Sequence, residues 1–315
     1  MTRQAQITAP LMLLLALLSL PLGGRAAQAQ HRLQTGAKPA EIQTAEQAVQ
    51  VRLAGDAAAI GPGQTIRLAV IFTIAPHWHI YWLNPGDSGA PTNLTVTAPE
   101  GFTVGGTLFP RPEAFTETAG TTYGYERETV LFVPVTAPKD LKEGEVSFDV
   151  DIFYLVCRDR CLIGRAAESL RIATAATAAG SGPSTADTQT LRRHADRLPR
   201  PLTELPGASA RLEEGLLLVT GPAGGHETVE FFPLPVPGVT FGEAEIVVED
   251  DRFRLAVPFQ VKPQNALGQT MSVRGVLGLG RSVSDPCYDL LLPLESDGRP
   301  TGAVPSGTGG PERSP

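Results

Sequence analysis

The sequence predicts an all-β protein, a β-sandwich followed by a second, smaller β domain. Three observations predict this class. Glycine and proline are abundant, at 33 and 28 of the 315 residues. The apolar segments are short, and several of them alternate apolar with polar residues. Turn-forming residues separate these segments at short intervals, as they do in β-sandwiches.

The first 29 residues have the form of a secretory signal peptide. Arg3 supplies positive charge, an apolar run follows over 11–20, and Ala27-Gln28-Ala29 has the small-x-small form of a cleavage site. The mature chain would then begin at Gln30 and would not insert into a membrane. Loss of the two leader arginines takes the formal net charge from −7 to −9. This acidic balance argues against nucleic acid as a partner.

Strand-like segments occupy most of the region from residue 30 to residue 172, which is the predicted first domain. In the run over 65–74, Ile66, Leu68 and Val70 occupy every second position, so they point to one face of the strand, which should be buried. The residues between them point to the other face, which should be partly buried. The remaining segments predicted as strands in this region are 48–53, 77–83, 93–98, 103–109 and 129–135.

The clearest alternation begins at Val146 and continues to Ile152, with the apolar side chains on one face. The segment then becomes wholly apolar and runs into Cys157. A strand that is buried at its end is therefore predicted to lead directly into the first cysteine of a close pair, Cys157 and Cys161.

Composition divides the rest of the chain into a linker, a second domain and a tail. Residues 173–190 are mostly Ala, Thr, Ser and Gly, which predicts a linker. Residues 191–295 form the predicted second β domain, with a short helix over 190–198 at its start. Residues 296–315 are rich in Gly, Pro and Ser and are expected to be a disordered tail.

The spacing of Cys157 and Cys161 requires the chain to turn between them. Four residues of extended strand span about 13 Å, whereas a disulfide needs Cα atoms roughly 4.4–6.8 Å apart. The charged residues 158–160 must therefore form a turn, and one helical turn would just permit the bond. Outside the cytosol such a pair is a structural disulfide, a redox-active dithiol or part of a metal site, and spacing alone leaves all three open.

Three further residues could take part in chemistry. Cys287 is the odd cysteine, and a buried thiol is the preferred interpretation over an exposed one that forms mixed disulfides. His77 and His79 would share one face of a strand and are weak candidates for a copper or zinc half-site. Ordinary packing beside Trp78 is the preferred interpretation for both.

Five ordered motifs together resemble a known family. They are His79–Gly89, Pro91-Thr92, Phe109-Pro110-Arg111-Pro112, Tyr123-Gly124-Tyr125-Glu126 and Leu155-Val156-Cys157-x-x-x-Cys161. From about residue 45 to 170 the chain is similar to the amino-terminal periplasmic domain of DsbD-type thiol:disulfide interchange proteins, in the ScsB-like subgroup. The chain departs from that pattern after Cys161, where Leu162-Ile163 replaces the family's Pro-Glu.

The resemblance implies an immunoglobulin-like sandwich in the periplasm whose Cys157 and Cys161 exchange disulfides. It also implies an aromatic cap over the pair, for which Phe115, Tyr123 and Tyr125 are candidates. The expected partners are thioredoxin-fold periplasmic proteins and a separate membrane-embedded thiol reductase, and no cofactor is expected. The alternative hypothesis is a non-catalytic binding, scaffold or copper-handling module with a structural disulfide.

Overall fold

The computed structural model describes residues 41–117, 120–174, 187–213, 215–262 and 271–294. From Ile42 onward the described residues belong to one compact unit. The predicted signal peptide, most of the predicted linker and the predicted tail lie outside the described residues. Among the described residues, no helix combines the length and the apolar character that crossing a membrane requires.

Twenty strands, two α-helices and one 3₁₀ turn make up the described part of the chain. Up to the cysteine pair the elements are α1 Ala45–Ala48, β1 Val49–Gly55, β2 Ala59–Ile60, β3 Thr65–Ile74, β4 His79–Gly86, β5 Asn93–Thr97, β6 Thr103–Val104, β7 Glu113–Glu117, β8 Gly120–Glu126, β9 Glu128–Thr136 and β10 Gly144–Cys157. After the pair they are β11 Cys161–Thr174, α2 Thr188–Ala195, β12 Arg200–Pro201, the 3₁₀ turn Leu202–Glu204, β13 Ser209–Glu213, β14 Leu216–Pro222, β15 Val229–Pro233, β16 Val239–Phe241, β17 Glu245–Glu249, β18 Arg252–Val261, β19 Met271–Leu279 and β20 Cys287–Leu294.

The first sandwich consists of two sheets that pack face to face. Sheet 1 has the order β1-β3-β9-β6, and sheet 2 has the order β2-β11-β10-β4-β8-β7 with β5 also paired to β10. The inward side chains of β3 and β10 meet in one apolar core, where Phe72 contacts Tyr154 edge-on at 6.0 Å between ring centroids. The all-β prediction is confirmed.

The second sandwich repeats this plan on a smaller scale. Sheet 3 has the order β12-β20-β19-β15, and sheet 4 has the order β13-β14-β18-β16 with β17 also paired to β18. Leu255 of β18 and Leu277 of β19 are fully buried in the core between these two sheets. An apolar sheet face must be covered by a second layer, and each sandwich meets this requirement with two sheets around one core.

Strand β3 is buried on both faces, and helix α2 explains why. Ile66, Leu68, Val70 and Phe72 point into the first core, as the alternation predicts. Ile71 points the other way and is also fully buried, because Leu191 of α2 packs on the outer face of sheet 1. The helix that follows the described end of β11 therefore covers the first sandwich.

Arg111 joins the two sandwiches through a fully buried guanidinium group. Its Nη2 donates to Glu230 at 2.6 Å and to the carbonyl oxygen of Gly280 at 2.5 Å, and its Nη1 donates to the carbonyl of Leu279 at 3.3 Å. Gly278 makes room for this group, since a Cβ atom there would lie 2.3 Å from the guanidinium carbon. Burial of a charge is tolerated here because it is paired and hydrogen-bonded.

Most predicted strands of the first sandwich are present, and five elements were missed. The prediction for 65–74 coincides with β3, whereas the predicted strand over 103–109 shrinks to β6, with Leu108 only bridging to Phe132. Helix α1, strand β2, both strands of the hairpin β7–β8 and strand β11 were not predicted. The short helix predicted over 190–198 appears as α2, shifted toward the amino terminus.

The buried His194 gives the fold a pH dependence that can be measured. Burial and the adjacent Arg197 lower its pKa from 6.5 to about 4, against the opposing effect of Glu128. The unfolded chain therefore binds the proton first, and stability should fall as the pH drops from 6.5 toward 4.

We expect His194→Gln to flatten this dependence, by up to about 3 kcal/mol across the interval. Urea unfolding of both proteins at pH 7 and pH 4.5 measures the difference. An equal loss of stability in the two proteins would contradict the assignment.

The junction at Arg111 gives a second prediction for stability. Arg111→Met keeps the apolar stem but leaves two buried carbonyl oxygens and Glu230 without their donor, so we expect a loss of about 2–4 kcal/mol. Glu230→Gln is the matched control, because its amide oxygen still accepts a hydrogen bond, and it should cost less. Equilibrium unfolding in denaturant tests both, and a loss below about 1 kcal/mol for Arg111→Met would refute the role.

Candidate functional site

The cysteine pair closes a long β-hairpin. Strands β10 and β11 pair residue for residue from Gly144 opposite Thr174 to Cys157 opposite Cys161. The two cysteines form a disulfide with their Cα atoms 4.1 Å apart. The predicted turn over 158–160 is present, as a three-residue hairpin loop rather than a helical turn, and all three of its residues are exposed.

The two sulfur-bearing residues differ sharply in exposure. Cys157 is only 3% exposed, whereas Cys161 is exposed to solvent. The sheet order gives the reason: at Cys157 strand β10 lies between β11 and β4, with His79 of β4 directly opposite. Cys161 lies on β11, which has β10 on one side only at this level. One cysteine of the pair is thus enclosed, and the other is exposed to solvent.

Strand alternation places the disulfide on the outer face of sheet 2. Val156 is fully buried in the core, so its neighbour Cys157 must point to the opposite face. His79 shares that outer face and stacks on the ring of Phe115, with 4.9 Å between ring centroids and 22° between the planes. The edge of Tyr81 approaches the same imidazole at 5.1 Å. An aromatic group therefore lies beside Cys157 on this face.

Gly124 allows that aromatic contact across an intervening strand. Phe115 is on β7 and His79 is on β4, and β8 runs between them. On the outer face β8 presents Gly124, which is opposite Tyr81 and has no side chain to separate the two rings. A Cβ atom at Gly124 would lie only 2.1 Å from the carbonyl oxygen of Ile80.

The three aromatic residues suggested as a cap do not lie on one face. Phe115 is on the outer face of sheet 2, with the disulfide. Tyr125 points into the core, where its hydroxyl donates to the carbonyl of Pro110 at 2.7 Å. Tyr123 also points inward and contacts Phe232 of the second sandwich at 5.6 Å between centroids. Tyr123 and Tyr125 share a face because they are two residues apart on β8, whereas Phe115 of β7 pairs with Thr122 and so lies on the opposite face.

The residues at the end of β4 and just after it hold the neighbouring strands in place. Gly89 packs against the ring of Tyr81, and a Cβ atom there would overlap that ring at 2.3 Å. The Asp87 carboxylate accepts the backbone N–H of Thr121 at 2.7 Å, which ties the motif to β8. Asn84 donates to the carbonyl of Pro233 at 2.8 Å, which ties it to the second sandwich.

The charges of the hairpin loop are engaged with neighbouring groups. Arg158 Nε donates to the Asp159 carboxylate at 2.8 Å, and its guanidinium carbon lies 5.1 Å from the ring centroid of Trp78. Arg160 donates to the backbone carbonyl of Ile42. The loop therefore contacts the first sandwich through its two arginines, at Trp78 and Ile42, while Asp159 remains largely exposed to solvent.

The remaining candidate residues are placed as follows. His77 lies in the turn before β4 with a φ of 67°, so it does not share a strand face with His79. In the described ranges, no three or more His, Cys, Asp or Glu residues form a group that could hold a metal ion. Cys287 is buried and donates to the carbonyl of Arg197 at 3.3 Å, and burial raises its pKa to about 11. The interpretation of Cys287 as a buried thiol is confirmed.

Comparisons with known proteins agree with this geometry. Residues 41–171 match the family described as thiol:disulfide interchange protein DsbD, N-terminal. The chain matches no curated protein.

Two solved structures are similar to the chain. The N-terminal periplasmic domain of ScsB from Proteus mirabilis aligns with a TM-score of 0.56 and 15% identity, over 81% of this chain and 96% of that one. The reduced DsbD N-terminal domain of Neisseria meningitidis aligns with a TM-score of 0.28 and 18% identity, over 45% of this chain and 94% of that one. Residues 41–171 thus match the amino-terminal domain family of the DsbD-type thiol:disulfide interchange proteins, which confirms the resemblance that the sequence motifs indicated.

Proposed function

We propose that this chain is a periplasmic thiol:disulfide interchange protein in which Cys161 exchanges with partners and Cys157 resolves the mixed disulfide. The observation that carries the proposal is the unequal exposure of the two cysteines at the end of one hairpin. An incoming sulfur can reach Cys161 from solvent, whereas Cys157 is enclosed by His79 on β4. The family match over 41–171 supports the same chemistry.

The exchange proceeds through two displacements at sulfur. A partner thiolate attacks Sγ of Cys161, the bond between Cys161 and Cys157 breaks, and its electron pair remains on Cys157 as a thiolate. A second partner thiolate then attacks the partner sulfur of the mixed disulfide and releases Cys161. The partner loses two electrons and this chain gains two. The reverse sequence passes them to the next protein.

Proteins of the DsbD type suggest the partners. We propose that thioredoxin-fold periplasmic proteins and a separate membrane-embedded thiol reductase exchange with Cys161. The signal-like residues 1–29 and the periplasmic ScsB domain of similar fold support a periplasmic location.

A purely structural disulfide is disfavoured by the position of the pair. The chain-entropy model gives a loop this short only about 2 kcal/mol of stabilisation. The fourteen-residue ladder of β10 and β11 already holds Cys157 opposite Cys161. The hairpin therefore does not depend on a disulfide at its tip to keep its two strands paired.

Single substitution tests which cysteine exchanges. In a Cys287→Ser background, Cys157→Ser should accumulate covalent adducts with periplasmic proteins, because the resolving thiol is absent. Cys161→Ser leaves only the enclosed Cys157 and should give far fewer. Non-reducing gels and mass spectrometry measure the adducts. A complete absence of adducts in both variants would sink the proposed function, and the opposite pattern would reverse the roles.

Phe115 is the cap residue that the geometry favours, because it stacks on His79 beside Cys157. We expect Phe115→Ala to raise the rate of disulfide reduction by dithiothreitol severalfold. Tyr123→Phe is the matched control on the same hairpin, since it changes only an inward hydroxyl group and should leave the rate unchanged. Equal rates for wild type and Phe115→Ala would show that Phe115 does not act as a cap over the pair.

A further inference from the structure

The row of paired residues that contains the disulfide continues across sheet 2 to an ionisable group. Cys161 pairs with Cys157, Cys157 pairs with His79 of β4, and His79 pairs with Glu126 of β8. Residues that pair across adjacent antiparallel strands project from the same face, with Cβ atoms about 4.5–5.5 Å apart. Cys157 therefore has its disulfide partner on one side and a histidine on the other.

Exchange at Cys161 produces a negative charge at a poorly solvated position. When a partner thiolate attacks Sγ of Cys161, the electron pair of the broken bond passes to Sγ of Cys157. Cys157 is almost fully buried, and burial disfavours a thiolate because it removes the water that would solvate the charge. Thiols of low pKa are the better leaving groups. A positive charge beside Cys157 would therefore speed the exchange.

The arginines of the hairpin loop are engaged away from this position. Arg158 forms an ion pair with Asp159 and lies over the ring of Trp78, which belongs to the core. Arg160 donates to the backbone carbonyl of Ile42. The imidazole on β4 is the basic group that belongs to the same row as the disulfide, so it is the better placed cation.

The charged groups around the imidazole favour its protonated form. Glu126 lies opposite His79 on the same face, and an opposite charge beside a histidine stabilises the imidazolium ion. The cleft beside Glu126 is also lined by Glu113 of β7 and by Arg127, whose opposite charges interact with each other. Tyr81 of β4 contacts the imidazole with its ring edge.

We propose that the imidazolium group of His79 stabilises the Cys157 thiolate that leaves when a partner attacks Cys161. This inference rests on the proposed function and adds a residue that controls its rate. The stack with Phe115 and the edge contact with Tyr81 hold the imidazole on the outer face. The imidazole keeps its proton throughout, and its charge lowers the free energy of the buried thiolate.

Titration of a single-cysteine variant tests the effect on Cys157 directly. With Cys161→Ser and Cys287→Ser, Cys157 is the one remaining thiol, and NMR of its isotope-labelled Cβ atom follows its ionisation. His79→Phe keeps an aromatic ring in the stack but removes the charge, so the measured pKa of Cys157 should rise by about one pH unit. His77→Asn is the matched control, because His77 lies in the turn before β4 and asparagine tolerates its positive φ. Equal pKa values for Cys157 in these two proteins would overturn the proposal.

The pH dependence of disulfide reduction separates the charge of His79 from its packing. The measured quantity is the rate with dithiothreitol divided by the concentration of dithiothreitol thiolate. In the wild type this quotient should fall as the pH rises through the titration of His79, because the neutral imidazole no longer stabilises the leaving thiolate. In His79→Phe it should not vary with pH, and at the acid end it should be about threefold below the wild-type value.

A second variant guards against an effect of shape. His79→Gln is polar but uncharged, and it should give the same pH-independent profile as His79→Phe. Loss of a covering ring alone would raise the rate, as predicted for Phe115→Ala, whereas loss of the charge lowers it. A wild-type profile that does not vary with pH, or a faster reduction of both His79 variants, would contradict the role of the imidazolium group.

The outcomes distinguish this inference from the proposed function. If Cys161 forms adducts and the His79 variants match the wild type in both measurements, His79 has no electrostatic role and the exchange role stands. If dithiothreitol does not reduce the wild-type disulfide and Cys161 forms no adducts, the exchange role fails and this inference fails with it.

Discussion

The register of the β10–β11 hairpin is the constraint on which the site depends. The inward residues of β10 are buried in the first core, and they include Phe148, Ile152 and Val156. A slip of one residue would move all of them to the outer face, at a cost of several buried side chains. The same burial therefore keeps Cys157 on the outer face and opposite Cys161. Burial of side chains in the hydrophobic core, rather than the disulfide, keeps the two cysteines opposite each other.

The second sandwich packs against strands that lie beside the site. Among the described residues its contacts include three segments of sheet 2 that lie on the β4 side of the disulfide. Arg111 immediately precedes β7, Asn84 lies on β4, and Tyr123 lies on β8. These strands carry His79 and Phe115 on their outer faces. Because packed interiors deform little, these contacts fix the platform on which the aromatic cover of Cys157 rests.

The elements that were predicted from the sequence are those whose own residues bury an apolar face. The apolar residues of β3 and the alternation along β10 sufficed to place both strands and to lead the second one into Cys157. Strands β8 and β11 are rich in Thr, Gly, Ala and charged residues, and they become strands because neighbouring strands pair with them. The unequal exposure of the two cysteines could not be predicted either. It follows from strand order, which a single sequence does not reveal.

The reduction potential of the Cys157–Cys161 pair tests the central claim most directly. Equilibration of the purified protein with glutathione redox buffers, with the thiol state read by alkylation and mass, gives this value. An exchanging pair should have a potential between about −120 and −270 mV, the range of known thiol:disulfide exchange proteins. A potential below about −300 mV would identify the disulfide as structural and would contradict the account.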